Sequence, residues 1–298
     1  MKAPPLLLVV LSCATTAAAN SEAPPATPST GREGPAQASS AQAPVLYPTA
    51  ESVKTLFQPY LPNLEPYEPM YFLVGADPRD SKFQVSLKYR LLTEKGSLAG
   101  RYPWVTGFHL GYTQTSFWDL KSTSVPFLDT SYKPELFFLS DSIDTGIPHA
   151  KGFFVQTGIQ HESNGRDGDA SRSTNFLYLR SRCVFYNETN KVGLLVSPKI
   201  WAYVMNDRET NPDLPAYRGH FELEIKVGMA DDLVLGTTLR WAEEGPSAQW
   251  DLTYPMHKWF SGNLDLYLQV QYVNSLAEGL LDYRERTEAL RIGVALVR

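Results

Sequence analysis

The feature of this 298-residue chain that most restricts its fold is a side-chain alternation of period two. It is sustained over runs of about ten residues. Phe83, Val85, Leu87, Tyr89 and Leu91 interleave with Gln84, Ser86, Lys88 and Arg90. Tyr217, Phe221, Leu223, Ile225 and Val227 interleave with Arg218, His220, Glu222, Glu224 and Lys226, and Leu264, Leu266, Leu268, Val270 and Tyr272 with Asp265, Tyr267, Gln269 and Gln271. From Tyr71 onward no helical stripe competes with these runs. Successive strand side chains project to opposite faces, so each run has one apolar and one polar face. A soluble sandwich with a dry core and a membrane barrel with its apolar face outward both satisfy that pattern. The polar faces are rich in Arg, Lys, Glu and Gln, and Tyr89, Trp241 and Tyr272 fall near run ends, as an interfacial aromatic girdle requires. These properties select the barrel. At about 19 residues per strand and turn, residues 67–298 give about 12 strands. The expected fold is all-β, a closed antiparallel transmembrane β-barrel.

The remaining segments place such a barrel in an outer membrane. Residues 1–19 read as a signal peptide, with Lys2, the apolar run Leu6–Leu11 and the small residues Ala17 and Ala19 before a cleavage point. The run is far below the roughly 20 residues a membrane helix needs, and a lipoprotein signal around Cys13 is the weaker alternative. Residues 20–50, rich in Ala, Pro and Ser, read as a disordered tether. Residues 51–298 form the barrel with a lead-in that extends to Pro69. After cleavage Cys183 is the sole cysteine, so no internal disulfide forms. A net charge of -5 without a Lys/Arg cluster argues against a nucleic-acid partner.

Candidate chemistry concentrates in residues 158–180, GIQHESNGRDGDASRSTNFLYLR. His161 and Ser163, two residues apart on a strand, project from the same face as Phe153, Val155, Thr157 and Ile159, which is the apolar one. Asn175 shares the matching face of the next strand with Leu177, Leu179, Cys183 and Phe185. Serine needs a base, histidine is the usual one, and an asparagine carbonyl can fix the imidazole tautomer. A His-x-Ser pair alone is commonly an inert polar pair at a rim. The third suitable side chain on the same lipid-facing patch favours catalysis. With a periplasmic N-terminus, residues 105–116, 132–139, 151–163 and 175–186 are the third to sixth strands, and loops 117–131 and 164–174 are extracellular. Phe153 and Ser163 then differ in depth by roughly 23 Å, which puts Ser163 near the outer rim, on the outer-leaflet side.

The strings YTQTSFWDL (112–120), PFLDTSYKPELFF (126–138) and HESNGRDGDASRSTNFLYLR (161–180) resemble outer-membrane phospholipase A of Gram-negative bacteria. The resemblance spans about residues 55–298. It implies a calcium-dependent lipase, activated by reversible homodimerisation, that cleaves sn-1 and sn-2 acyl esters of phospholipids and lysophospholipids. Carried over by position, it makes Ser163 the nucleophile, His161 the base and then acid, and Asn175 the orienter. Calcium is implied at the dimer interface, on the Arg166 carbonyl and Ser171 hydroxyl of one subunit and a carbonyl matching Ser124 of the other. Gln114 matches a glutamine that joins the subunits, and its parity with Phe108, Leu110 and Tyr112 puts it on the lipid-facing side.

Two departures stand out. Phe176 replaces an arginine common after the family's asparagine, which is expected to change a contact inside the barrel only. The chain ends Val297, Arg298 without a terminal aromatic residue. Asp167 and Asp169 offer a rival metal site. The alternative functions are a catalytically silent barrel serving as channel or scaffold, and a soluble esterase sandwich.

Overall fold

The computed structural model describes residue 58 and residues 60–298, apart from 148, 260, 261 and 263. The expected signal peptide and tether lie outside the described residues. Thirteen strands form one sheet: β1 (Leu64–Pro66), β2 (Met70–Gly75), β3 (Ser81–Arg90), β4 (Phe108–Trp118), β5 (Phe127–Leu139), β6 (Ala150–Ser163), β7 (Ser173–Tyr186), β8 (Val192–Asn206), β9 (Phe221–Met229), β10 (Val234–Ala242), β11 (Gly245–Pro255), β12 (Tyr267–Leu276) and β13 (Arg286–Val297). From β2 to β13 each strand pairs antiparallel with the next, and β13 returns to β2. The twelve strands therefore close without an edge, as a bilayer demands of a sheet whose backbone groups find no water. β1 and β2 lie along the same side of β3, against residues 87–89 and 82–84. Between them the chain dips into the lumen, where Tyr67 stacks on Phe137 at 5.0 Å and Glu68 meets Arg180 at 2.6 Å.

Burial resolves the alternation as a membrane barrel does. Leu110, Leu136, Ile159, Leu177, Leu179, Ile200 and Ile292 are exposed on the wall, whereas Lys82, Glu135, Gln156, Gln160, Glu162, Arg180, Gln271 and Arg291 are buried inside it. Buried charges survive because they are paired: Glu278 with Lys82 and Arg291 at 3.0 and 2.7 Å, and Glu162 with Arg218 at 2.5 Å. Exposed aromatics gather at both ends of the wall, with Phe221 against Trp241 and Trp118 against Phe127 at one, and Trp104 against Phe108 and Tyr254 against Trp259 at the other. Among the described residues no helix is long and apolar enough to cross a membrane.

Several boundaries differ from the sequence reading. The third barrel strand starts at Phe108 because Pro103–Gly107 forms a 3-10 turn. The fourth starts at Phe127 rather than 132, since the Asp119 carboxylate gathers Lys121 N and both Ser122 N and Ser122 Oγ into a tight turn. Two five-residue helices, α1 (Ser97–Arg101) and α2 (Leu214–Arg218), interrupt the strands. Tyr217 and Arg218 consequently belong to α2, and β9 begins at Phe221.

Helix α2 folds into the mouth at the end of the barrel where β6 finishes. Leu214, Ala277, Leu280 and Tyr283 form a buried cluster there, with Tyr203 and Tyr217 against it. The Asp129 carboxylate accepts from Leu280 N and Leu281 N at 3.0 and 2.9 Å. These contacts brace the rim behind residues 161–163, where Arg218 reaches Glu162 between the two outward-facing candidates.

Candidate active site

His161 and Ser163 close β6, and Asn175 lies near the start of β7 directly opposite His161. All three are half-buried, and their strand parity is that of the exposed Ile159, Leu177 and Leu179, so they stand on the outer wall. His161 Nδ1 and Asn175 Oδ1 are 2.9 Å apart. The Asn175 Nδ2 group donates to the Met205 carbonyl at 3.1 Å. A backbone carbonyl only accepts, so this second bond fixes which end of the amide faces the ring. Oδ1 must then receive the Nδ1 proton, and Nε2 of the neutral imidazole keeps its lone pair on the side away from Asn175. Among the described residues Ser163 Oγ makes no hydrogen bond, so the serine–histidine link is open in this state while the histidine–asparagine link is closed. Catalytic contacts of unliganded sites commonly close only around substrate.

The neighbouring strands add two residues the sequence reading did not single out, Tyr132 and Pro134. On the row of Ser163 the partners are Tyr132 of β5 and then Gln114 of β4. Two strand spacings separate Gln114 from Ser163 by about 10 Å. On the row of His161, the register carries Pro134 to the opposing position, since the pairs Tyr132–Ser163 and Glu135–Gln160 bracket it. Proline lacks the ladder donor, which accounts for the interruption of strand pairing beside the histidine. No side-chain motif announces either residue. Gln114 itself accepts from the Tyr112 hydroxyl at 3.0 Å and donates to Ser116 Oγ at 3.2 Å, on the wall as parity predicts.

Residues 164–172 follow Ser163 as an ordered loop. Asn164 is its staple: its Oδ1 accepts from Arg166 N and Arg172 N at 3.3 and 3.0 Å, and its Nδ2 donates to Ala170 O at 2.9 Å. Gly165 takes φ +67, and a Cβ there would lie 2.9 Å from the Tyr132 ring. Arg172 donates to the Asp169 and Ser171 carbonyls. Among the described residues the Arg166 carbonyl and the Ser171 hydroxyl have no hydrogen-bond partner, so these two oxygens are available to a hard cation, which takes oxygen donors. Ser124 is exposed in the 119–126 turn at the same end of the barrel. The rival pair Asp167 and Asp169 is exposed, and among the described residues no three His, Cys, Asp or Glu side chains converge on a metal position. Phe176 points inward against Trp201 at 6.1 Å, with Lys199 Nζ 5.3 Å from its ring, as its parity predicts.

A closed twelve-stranded barrel with a polar interior, an apolar wall and a polar constellation on that wall defines the class of integral outer-membrane β-barrel proteins. Comparison with known proteins narrows the class: the phospholipase A1 family model matches residues 51–296. Phospholipase A1 of Escherichia coli strain K12 is 32% identical over 221 residues, covering 72% of this chain and 68% of that protein. The chain belongs to the phospholipase A1 family. Among solved structures it is similar to outer membrane phospholipase A from Escherichia coli, with 28% identity, a TM-score of 0.64 and coverage of 78% of this chain and 98% of that one. It is also similar to the calcium-bound dimer of the Salmonella typhi outer membrane phospholipase, at 27% identity and a TM-score of 0.64, covering 78% and 92% of the two chains. A third similar structure, at 28% identity, a TM-score of 0.63 and coverage of 78% and 91%, is an active-site mutant of the Escherichia coli enzyme in which an asparagine is replaced by alanine.

Proposed function

We propose that this chain hydrolyses the sn-1 and sn-2 acyl esters of phospholipids and lysophospholipids at the outer leaflet of the outer membrane, using Ser163, His161 and Asn175. The observation that carries the reading is the 2.9 Å His161–Asn175 contact on the apolar wall, beside a serine of the same strand face. His161 Nε2 takes the Ser163 hydroxyl proton as Oγ attacks the ester carbonyl. The imidazolium then donates that proton to the leaving alcohol, and a water deprotonated by His161 releases the fatty acid from the acyl-serine. Asn175 holds Nδ1–H throughout. Being neutral, it stabilises the imidazolium less than a carboxylate would, and more of the electrostatic work falls on groups around the carbonyl oxygen.

The Arg166 carbonyl and Ser171 hydroxyl of one subunit and Ser124 of a second would hold calcium. When bound, calcium supplies positive potential toward the oxygen on which charge accumulates. The calcium-bound dimer of the Salmonella typhi relative supports both the ion and the pairing. A convex wall encloses an acyl chain on one side only, and two walls make a cleft that buries it. Gln114, two strands from Ser163 on the same wall, would lie in that interface. A silent channel is disfavoured by interior side chains that interlock across the lumen, Glu68 with Arg180 and Lys82 with Glu278 among them.

The test is acyl release from phospholipid by the detergent-purified protein, with calcium and then with a chelator. Calcium-stimulated release that Ser163→Ala abolishes is expected. No release in either condition would leave a silent barrel.

A further inference from the structure

Opposite Asn175 the pairing of β7 with β8 slips by one residue. Phe176 faces Tyr203, but Asn175 faces Met205, so Val204 is an extra residue of β8. A regular pleat would send one of Val204 and Met205 inward, yet both stand on the outer wall, 49% and 64% exposed. Pairing resumes at once with Thr174 opposite Asn206, so closure of the barrel does not depend on the insertion. What the bulge changes is the carbonyl beside Asn175. It brings Met205 O to within 3.1 Å of Asn175 Nδ2. Just beyond, Asn206 and Asn211 pin the bulged strand through Asn206 Nδ2 to Asn211 O at 2.7 Å and Asn211 Nδ2 to Asn206 Oδ1 at 2.9 Å.

We infer that the Val204–Met205 bulge is a positioning device for the triad: its carbonyl holds the Asn175 amide in one orientation, thereby holds His161 as the Nδ1–H tautomer, and makes an amide rather than a carboxylate the workable residue at position 175. The inference rests on the lipase reading above and adds to it the reason for a neutral third member. A carboxylate at 175 would turn one oxygen toward the His161 ring and the other toward the Met205 carbonyl. Two acceptors facing each other on an apolar wall have no water to separate them, and the arrangement is unfavourable. An amide offers an acceptor to the ring and a donor to the carbonyl, so both contacts are satisfied. Were the bulge only a way of ending β8, Asn175→Asp would create an ordinary Ser-His-Asp arrangement and keep or raise the activity.

The experiment compares wild type, Asn175→Asp, a deletion of Val204 and the combination. Each is purified full length in detergent with calcium and checked for folding by heat-modifiable gel migration. The rate of Ser163 phosphonylation by an organophosphonate is measured for all four, and the His161 tautomer of the wild type by nitrogen NMR of labelled imidazole. Expected are the Nδ1–H tautomer, phosphonylation slowed about tenfold or more by Asn175→Asp in the wild-type background, and a smaller penalty for the same change once Val204 is deleted. Asn175→Asp as fast as wild type, an equal penalty in both backgrounds, or an Nε2–H imidazole would overturn the inference. If the deletion does not fold, the Asn175→Asp rate and the tautomer decide alone. A wild type with the Nδ1–H tautomer but no phospholipid hydrolysis would defeat the lipase reading and leave the positioning role standing.

Discussion

An asparagine in the third position divides the work of the site unevenly among its residues. On the proposed mechanism Ser163 Oγ is the nucleophile and has no substitute, so Ser163→Ala should abolish acyl release while the barrel still migrates as a folded species. In the same mechanism Asn175 orients the imidazole without touching the ester, so Asn175→Ala should lose about tenfold or more yet remain measurably above Ser163→Ala in the same assay. Gly165 is the residue whose conformation admits little change. At φ +67 a side chain is strained, and its Cβ would press on the Tyr132 ring. Gly165→Ala should therefore lower the turnover rate and leave the urea unfolding midpoint nearly unchanged, because the loop lies at the rim. A normal turnover rate would show that Tyr132 yields at no functional cost. That His161, Ser163 and Asn175 share the outer face was legible in the sequence, because strand parity fixes which side chains lie together. The Met205 carbonyl was not, because a backbone group leaves no trace in side-chain pattern, and both Val204 and Met205 are apolar residues that fit either a regular or a bulged strand.

Among the elements, the strands followed from alternation and the mouth of the barrel did not. Helix α2 is five residues long, too short for a 3.6-residue period to register, and its position depends on contacts distant in the chain, such as Asp213 with Tyr283 and Arg284, 70 and 71 residues away. The Arg284 guanidinium holds the Asp213 carboxyl below its ordinary value of 3.8, while burial and the Asp213 hydrogen bond push the Tyr283 hydroxyl up to about 12. The lowered Asp213 value means its stabilisation is complete above pH 3.8 and lost as pH falls through the folded value. The raised Tyr283 value means its share is complete below its ordinary value of 10.0 and lost on approach to about 12. Corrected for the pH dependence of intrinsic exchange, protection of the Ala277 amide, which donates to the Tyr283 carbonyl at 3.1 Å, should accordingly be greatest through the neutral range and fall at both extremes, with Asp213→Asn weakening the acid limb. Strand packing makes a separate demand at Gly158, where a Cβ would lie 2.5 Å from Leu136 O and 2.6 Å from Phe137 Cβ. Gly158→Ala should lower barrel stability by about 1–3 kcal/mol, read as a drop in the urea midpoint.

For the whole molecule, one inversion governs the rest: polar groups are inside, apolar groups outside, and the catalytic candidates lie with the apolar set. A soluble enzyme would bury such a site in a cleft of its own. Here the site lies open on the wall, and in the proposed mechanism a second copy supplies the other half of its enclosure. Cross-linking of the detergent-solubilised protein should rise with calcium and with a substrate analogue, and chelation should return it to the monomer level. Full activity in a dilute, uncross-linkable sample would remove dimerisation from the mechanism. Covalent labelling reads out whether Ser163, on the lipid-facing wall, is the proposed nucleophile. The calcium-loaded protein in detergent is treated with a sulfonyl fluoride carrying a long alkyl chain, digested and analysed by mass spectrometry. A single adduct is expected on Ser163, appearing in step with loss of phospholipid hydrolysis and absent from His161→Ala. Labelling elsewhere, or complete labelling of Ser163 with hydrolysis intact, would contradict it.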